Sequence, residues 1–272
     1  MSDPRVDLRS HFGFHGMPFT REIAVADRWS AELFDETLRE LQRIVEQRMS
    51  AVLIAPSGTG KTMLLRTLRE QLPEARYRVR YVKVTGLAKR DLYREFALVA
   101  GVEPTGSYPT LVRRLQEHFQ AQADDDGLRP ILILDEAHDL RPEVLATLRV
   151  LTNFQMDSRL VLSLVLAGDS RLRPLLERQE LAPIRRRLAH CAVLRLLSRD
   201  ETQQYLKHRL HIVGCRSVPF DNQALDAVYE VTRGNLRAIN HLCLKALDGA
   251  ARQNVNAIDT NLIAAARQQL LL

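Results

Sequence analysis

Two short stretches carry residues that can do phosphate chemistry. The first is Ala55-Pro56-Ser57-Gly58-Thr59-Gly60-Lys61-Thr62. Glycines let backbone N–H groups turn inward around an anion, a lysine neutralises the β and γ oxygens, and the adjoining hydroxyl can enter a Mg2+ shell. On this reading Pro56, Ser57, Gly58, Thr59, Gly60, Lys61, Thr62 and Met63 hold a nucleotide. Lys61 also serves catalysis, and Thr62 serves the metal. Ala55 stands where the pattern has its first glycine, and alanine resists a strongly positive φ. The second stretch is Ile131-Leu132-Ile133-Leu134-Asp135-Glu136. Asp135 is placed to hold the Mg2+ hydration shell, and Glu136 to orient or deprotonate an attacking water. The expected cofactors are ATP and Mg2+.

Three further groups extend the site. Asp169 and Ser170 follow an apolar run in LAGDS; for Asp169, sensing of a γ-phosphate through water and capping of the next helix are both open. Arg185, Arg186 and Arg187 form a triple arginine, which reads either as a solvated or nucleic-acid-facing run or as a finger reaching a neighbouring subunit's γ-phosphate. Arg187 or Arg186 is the candidate finger. Arg237 lies in the first turn of the helix that follows Gly234 and Asn235, a slightly unfavourable place for a cation, and reads either as a surface arginine or as a nucleotide-binding one that reaches back to the phosphates. His138 completes the string DEAH, which also occurs in helicases. The chain after Glu136 is too short for the second motor domain those enzymes carry, and His138 reads as a helix-start or interface residue.

These side chains need a scaffold. Ala51–Ile54, Val79–Val84, Ile131–Asp135, Leu160–Gly168 and Ala192–Leu196 read as strands. Helical patterns lie between them, at about 31–49, 62–72, 89–100, 109–122, 142–157, 170–179 and 183–190. Alternation of strands and helices predicts an α/β fold with a parallel sheet between helices. After Leu197 only helical patterns remain, broken at Gly214, Gly234 and around Asn254–Asn256. The expected organisation is an N-terminal extension over 1–30, a nucleotide-binding α/β domain over 31–197 and a small all-helical lid domain over 198–272.

Composition adds limits. The net charge of +6 over 272 residues permits a polyanionic partner. The longest apolar runs fall far short of the roughly 20 residues a membrane span needs, and MSDPRVDLRSHF lacks a signal-peptide core. The expectation is a cytoplasmic protein with no membrane partner. Cys191, Cys215 and Cys243 are far apart, without a CxxC pair, and are expected to be buried thiols.

Taken in order, these features resemble the AAA+ ATPase superfamily, over roughly residues 31–270. HFGFHGMPF, LRVLTNFQMDS, LVLAGDSRLRPLL, IRRRLAHCAVLRLLSRDETQQYLKHRL and TRGNLRAINHLC look like the ExeA/TniB/TnsC-type ATPases, with MuB a more distant relative. The resemblance implies a P-loop NTPase core with a helical lid. It also implies an ATPase that self-associates into a ring or helical filament on double-stranded DNA of low sequence specificity and stimulates a transposase. Lys83, Lys89 and Arg90, then Arg113 and Arg114, are the candidate phosphate contacts on DNA. Two alternatives stand beside it: a secretion or assembly ATPase of the ExeA kind, and a replication-initiator or loader-like ATPase. ExeA-type chains continue into a membrane helix and a wall-binding domain, which the sequence up to Leu272 does not contain.

Overall fold

The computed structural model describes residues 7–270, so residues 1–6 of the expected N-terminal extension and residues 271–272 of the expected lid lie outside it. Contacts divide the chain into two compact units. One holds residues 32–56 and 61–194. The other holds the N-terminal stretch up to Ala31, the four residues Ser57–Gly60, and everything from Arg195 onward.

The first unit is built on five parallel strands: β1 (Ser50–Ile54), β2 (Tyr77–Lys83), β3 (Arg129–Asp135), β4 (Ser163–Gly168) and β5 (Leu188–Val193). Their order across the sheet is β2-β3-β4-β1-β5. The central strands β1 and β4 are buried at every position, as expected where helices cover a parallel sheet. The flanking helices are α1 (Glu32–Glu46), α2 (Lys61–Gln71), α3 (Lys89–Ala100) and α4 (Tyr108–Asp124). Leu92, Tyr93 and Phe96 of α3 and Leu111, Leu115 and Phe119 of α4 pack in one cluster with Val52, Leu132, Leu134, Leu164 and Leu166 from the strands. Each such fully buried side chain contributes about 1.5–3 kcal/mol.

Two expectations of the sequence reading change here. The helix expected over 142–157 breaks into Pro142–Leu145 and Leu148–Leu151. It then gives way to a turn in which Gln155, Met156 and Asp157 all take left-handed backbone, with φ of 49°, 57° and 71°. The last strand lies earlier than expected, at Leu188–Val193, and takes over part of the helix expected at 183–190, which ends at Arg185. It is an edge strand paired only with β1, so His190 and Cys191 sit on it without cost, and its apolar signal is weak.

The second unit is helical after Leu197, with α5 (Arg199–His211), α6 (Asn222–Thr232), α7 (Leu236–Arg252) and α8 (Thr260–Gln268). Each begins at a polar cap. Ser198 and Glu201 form a reciprocal capping box on α5, and Asp221, Asn235 and Asp259 accept backbone N–H bonds at the other three. The aromatic N-terminal stretch belongs to this same unit. Phe14 and Phe19 are buried, Trp29 stands edge-on to Tyr205 at 5.7 Å, and buried Arg209 donates to Thr20 O at 2.8 Å. Of the cysteines only Cys243 is buried; Cys215 is half-buried and Cys191, on the edge strand, is exposed.

Candidate nucleotide-binding site

The parallel register of the α/β unit brings the C-terminal strand ends together. Ile54 of β1 is opposite Gly168 of β4, and Ala55 N donates to Gly168 O at 2.9 Å. Such an edge is where open α/β sheets bind ligands. Ala55 is fully buried and is absent from the residues with positive φ, so the missing first glycine carries no backbone strain. Lys61 opens α2, with Thr62 exposed beside it and Met63 half-buried. A helix N-terminus of this kind presents free N–H groups to an anion.

At the end of β3 the carboxylates meet that lysine. Lys61 Nζ is 2.6 Å from Asp135 Oδ1 and 2.8 Å from Glu136 Oε1. Asp135 is 1% exposed, and its other contacts are complete: Tyr81 Oη donates to Oδ2 at 2.9 Å and the Glu136 N–H donates to Oδ1 at 2.9 Å. Burial, then the Asp135 charge, push the Tyr81 phenol far above its ordinary value, so Tyr81 acts as a donor throughout the accessible pH range. Tyr81 was missed in the sequence, where it is one aromatic in an alternating strand; only the β2–β3 pairing shows its partner. Glu136 itself has φ 61° and ψ 34°, a left-handed conformation uncommon outside glycine and found at functional sites.

The loop residues Ser57–Gly60 belong to the helical unit. Gly58 and Gly60 have φ of 83° and 93°, which only glycine adopts without strain. Asn235 Nδ2 donates to Ser57 O at 2.7 Å, and Arg237 donates through its backbone N–H to Gly58 O and through Nη1 to Ser57 Oγ, both at 3.2 Å. A Cβ on Gly58 would overlap the Asn235 carboxamide. Thr59 is 2% exposed, and Pro56 is half-buried. Asn235 reads from sequence as a helix start, which it is; its grip on Ser57 is visible only in three dimensions.

Asp169 lies just past β4. Burial raises its carboxyl, but the hydrogen bonds and charge of Arg171, with help from His138, outweigh this and hold it below its ordinary value. Arg171 Nη2 is 2.8 Å from Asp169 Oδ2, and the Arg171 N–H donates to Oδ1 at 2.9 Å. Asp169 therefore caps the turn that follows it while remaining ionised.

The triple arginine separates into three environments. Arg185 donates to the carbonyls of Leu176 and Glu177. Arg187 donates to Thr152 O and pairs with Asp157, so it is engaged within its own chain. Arg186 is exposed, and its side chain makes no bond among the described residues. Of the candidate DNA contacts, Lys89 Nζ stands 4.3 Å over the Tyr108 ring, and Arg90 donates to Gly106 O at 3.1 Å. Arg113 pairs with Glu117, and Arg114 donates to Thr105 O and pairs with Glu103. Lys83 is exposed at the end of β2, opposite Asp135 in register.

The donor set fits a hydrated Mg2+ carried in with a triphosphate, since Asp135 and Thr62 offer one carboxylate and one hydroxyl beside the candidate phosphate loop. No helix among the described residues is long and apolar enough to cross a membrane.

Comparison with known proteins agrees with this fold. Residues 42–176 match the AAA domain family. The chain is 30% identical over 244 residues to general secretion pathway protein A of Aeromonas hydrophila, a match that covers 88% of this chain and 44% of that protein. It thus spans less than half the length of that relative. Among solved structures it is similar to Cdc6p of Pyrobaculum aerophilum, with a TM-score of 0.71 at 17% identity over 93% of this chain and 70% of that one. It is also similar to the Aeropyrum pernix ORC1 protein solved in complex with DNA, with a TM-score of 0.65 at 20% identity over 90% and 66%. The RuvB branch-migration motor of Thermotoga maritima matches with a TM-score of 0.62 at 19% identity over 93% and 73%. The chain has the P-loop fold of the AAA+ proteins, and its residues 42–176 are similar to the AAA domain family.

Proposed function

We propose that the chain is an ATP-hydrolysing switch whose triphosphate-bound form self-associates on duplex DNA and stimulates a transposase. The observation that carries the ATPase part is the meeting of Lys61 with Asp135 and Glu136 at the strand ends. The Lys61 ammonium is held by the two carboxylates. A triphosphate offers it a stronger anionic partner, and its transfer to the β and γ oxygens releases Glu136. Glu136 then accepts a proton from water as the water oxygen bonds to the γ-phosphorus. The bond from that phosphorus to the bridging oxygen breaks, and ADP and inorganic phosphate leave. Mg2+, when bound, neutralises charge on the β- and γ-phosphates, and Asp135 and Thr62 are the residues to hold it. Asp169 is the candidate for sensing the γ-phosphate, with Arg237 for reading nucleotide state from the helical unit. Arg186 is the better-placed candidate for a finger acting in trans, since Arg187 is already paired.

The DNA and transposase parts rest on the net charge of +6, the exposed basic residues led by Lys83, and the likeness to TniB/TnsC-type ATPases. A second reading, an ATPase serving secretion or assembly, is favoured by the 30% identity with a general secretion pathway protein. Binding to a labelled duplex of arbitrary sequence separates them. It is measured with ATP, a slowly hydrolysed analogue, ADP and no nucleotide, at two salt concentrations, for the wild type, Lys61→Ala and Glu136→Gln. Tight, salt-sensitive binding confined to the triphosphate state supports the DNA switch. Intact ATPase activity with no DNA binding in any state overturns it in favour of a protein-directed role.

A further inference from the structure

His138 stands at the meeting point of three carboxylates. Its side chain is 2% exposed. Nδ1 accepts the Asp169 backbone N–H at 3.1 Å, which puts the ring's own N–H on Nε2. Nε2 faces Asp169 Oδ2 at 3.3 Å, Asp139 Oδ1 at 3.4 Å and Glu136 Oε2 at 3.5 Å. Arg171 closes the far side, on Asp169 at 2.8 Å and Asp139 at 3.6 Å. These acidic groups do not converge as metal ligands among the described residues; they converge on the imidazole N–H.

The fold makes room for this ring. A Cβ at Gly168 would come within 2.9 Å of His138 Nδ1, so glycine at the end of β4 is what lets the ring reach the Asp169 amide. Glu136 and Asp169 leave the ends of the neighbouring strands β3 and β4, and His138 spans them. One oxygen of the Glu136 carboxylate is held by Lys61, and the other faces His138.

We propose that His138 is a positioning residue for hydrolysis: its Nε2–H, facing Glu136 Oε2 beside Asp169 and Asp139, orients the Glu136 carboxylate, and its Nδ1 ties that orientation to Asp169. This rests on the ATPase reading above. It makes the two strand ends a single unit, so that a displacement of Asp169 on sensing the γ-phosphate is felt at Glu136.

Two substitutions split the ring's two roles. In His138→Asn the side-chain oxygen overlays Nδ1 and keeps the Asp169 bond but offers no donor to Glu136. In His138→Gln the side-chain nitrogen overlays Nε2 and keeps that donor. Steady-state ATP hydrolysis is measured with and without duplex DNA, alongside ATP affinity and thermal melting, for the wild type, both variants and Glu136→Gln. The expected result is a fall in kcat of about ten- to a hundredfold in His138→Asn with KM for ATP little changed. His138→Gln is expected to recover most of kcat, whatever the order of the melting temperatures. Wild-type turnover in His138→Asn, or equal loss in both variants in step with lowered melting temperatures, overturns the proposal and leaves the ring a packing element. A wild type that hydrolyses no ATP under either condition overturns the ATPase reading itself, and this role with it.

Discussion

Lys61 Nζ donates to Glu136 Oε1 at 2.8 Å, so the expected phosphate ligand is bonded to the expected base. The same ammonium neutralises buried Asp135. Lys61 thus has a structural duty beside its proposed catalytic one. Removing one partner of a buried ion pair costs about 3–5 kcal/mol, because the other charge is left without compensation. Lys61→Ala is expected to lower stability in denaturant as well as to weaken ATP binding by about tenfold or more through the lost charged hydrogen bonds. Adding Asp135→Asn should restore part of the stability and none of the ATP binding, which denaturation and nucleotide titration would show.

Glu136→Gln keeps the shape and loses the proposed base. ATP affinity should stay near that of the wild type, while phosphate release falls by about 10²–10⁴. Phosphate release as rapid as that of the wild type would remove Glu136 from the proton transfer.

Tyr81 is a prediction the sequence alone does not make. Its hydroxyl gives Asp135 Oδ2 its donor in a site with almost no solvent access. Tyr81→Phe leaves that oxygen unpaired and should destabilise the fold by about 1–3 kcal/mol. It should also raise the Mg2+ concentration needed for half-maximal hydrolysis, since Asp135 loses the contact that orients it. Denaturation and a Mg2+ titration read the two effects separately.

Asn235 does two jobs, capping α7 through the N–H groups of Arg237 and Ala238 and holding Ser57 O. Asn235→Ala should cost about 0.5–2 kcal/mol from the cap alone, and it also releases the loop. Gly58→Ala should be harsher for ATP binding, because φ of 83° and overlap with the Asn235 carboxamide act together. The double variant, in which the overlap is relieved, should bind ATP better than Gly58→Ala alone; equal affinities would show that φ decides the matter.

The capping box of α5 gives a pH dependence. Hydrogen bonds from Arg195 hold the Glu201 carboxyl below its ordinary 4.5, against the opposing effect of burial. A depressed folded value means that this stabilisation is present above about pH 4.5 and is lost as pH falls through the lower folded value. Glu201→Gln should remove this part of the acid sensitivity while costing under about 1 kcal/mol near neutrality, as the ion pair is partly solvated. Melting curves between pH 7 and pH 3 for both proteins would show it.

The parts of this protein legible in the sequence share one property: they depend on neighbours in the chain. Gly58, Gly60 and Lys61 act through a local turn and a helix start. Asp135 and Glu136 follow an apolar strand whose burial on both faces is written in its four aliphatic residues. The helical character after Leu197, with its breaks at Gly214 and Gly234, is a local pattern too. What only the tertiary structure decided comes from pairing across the sheet. Tyr81 reaches Asp135 because β2 lies beside β3, and His138 spans Glu136 and Asp169 because β3 lies beside β4. Arg187 is set apart from Arg186 by a turn thirty residues away. Strand order is a long-range choice set by how whole helices and sheet faces bury one another, and no local pattern of residues encodes it.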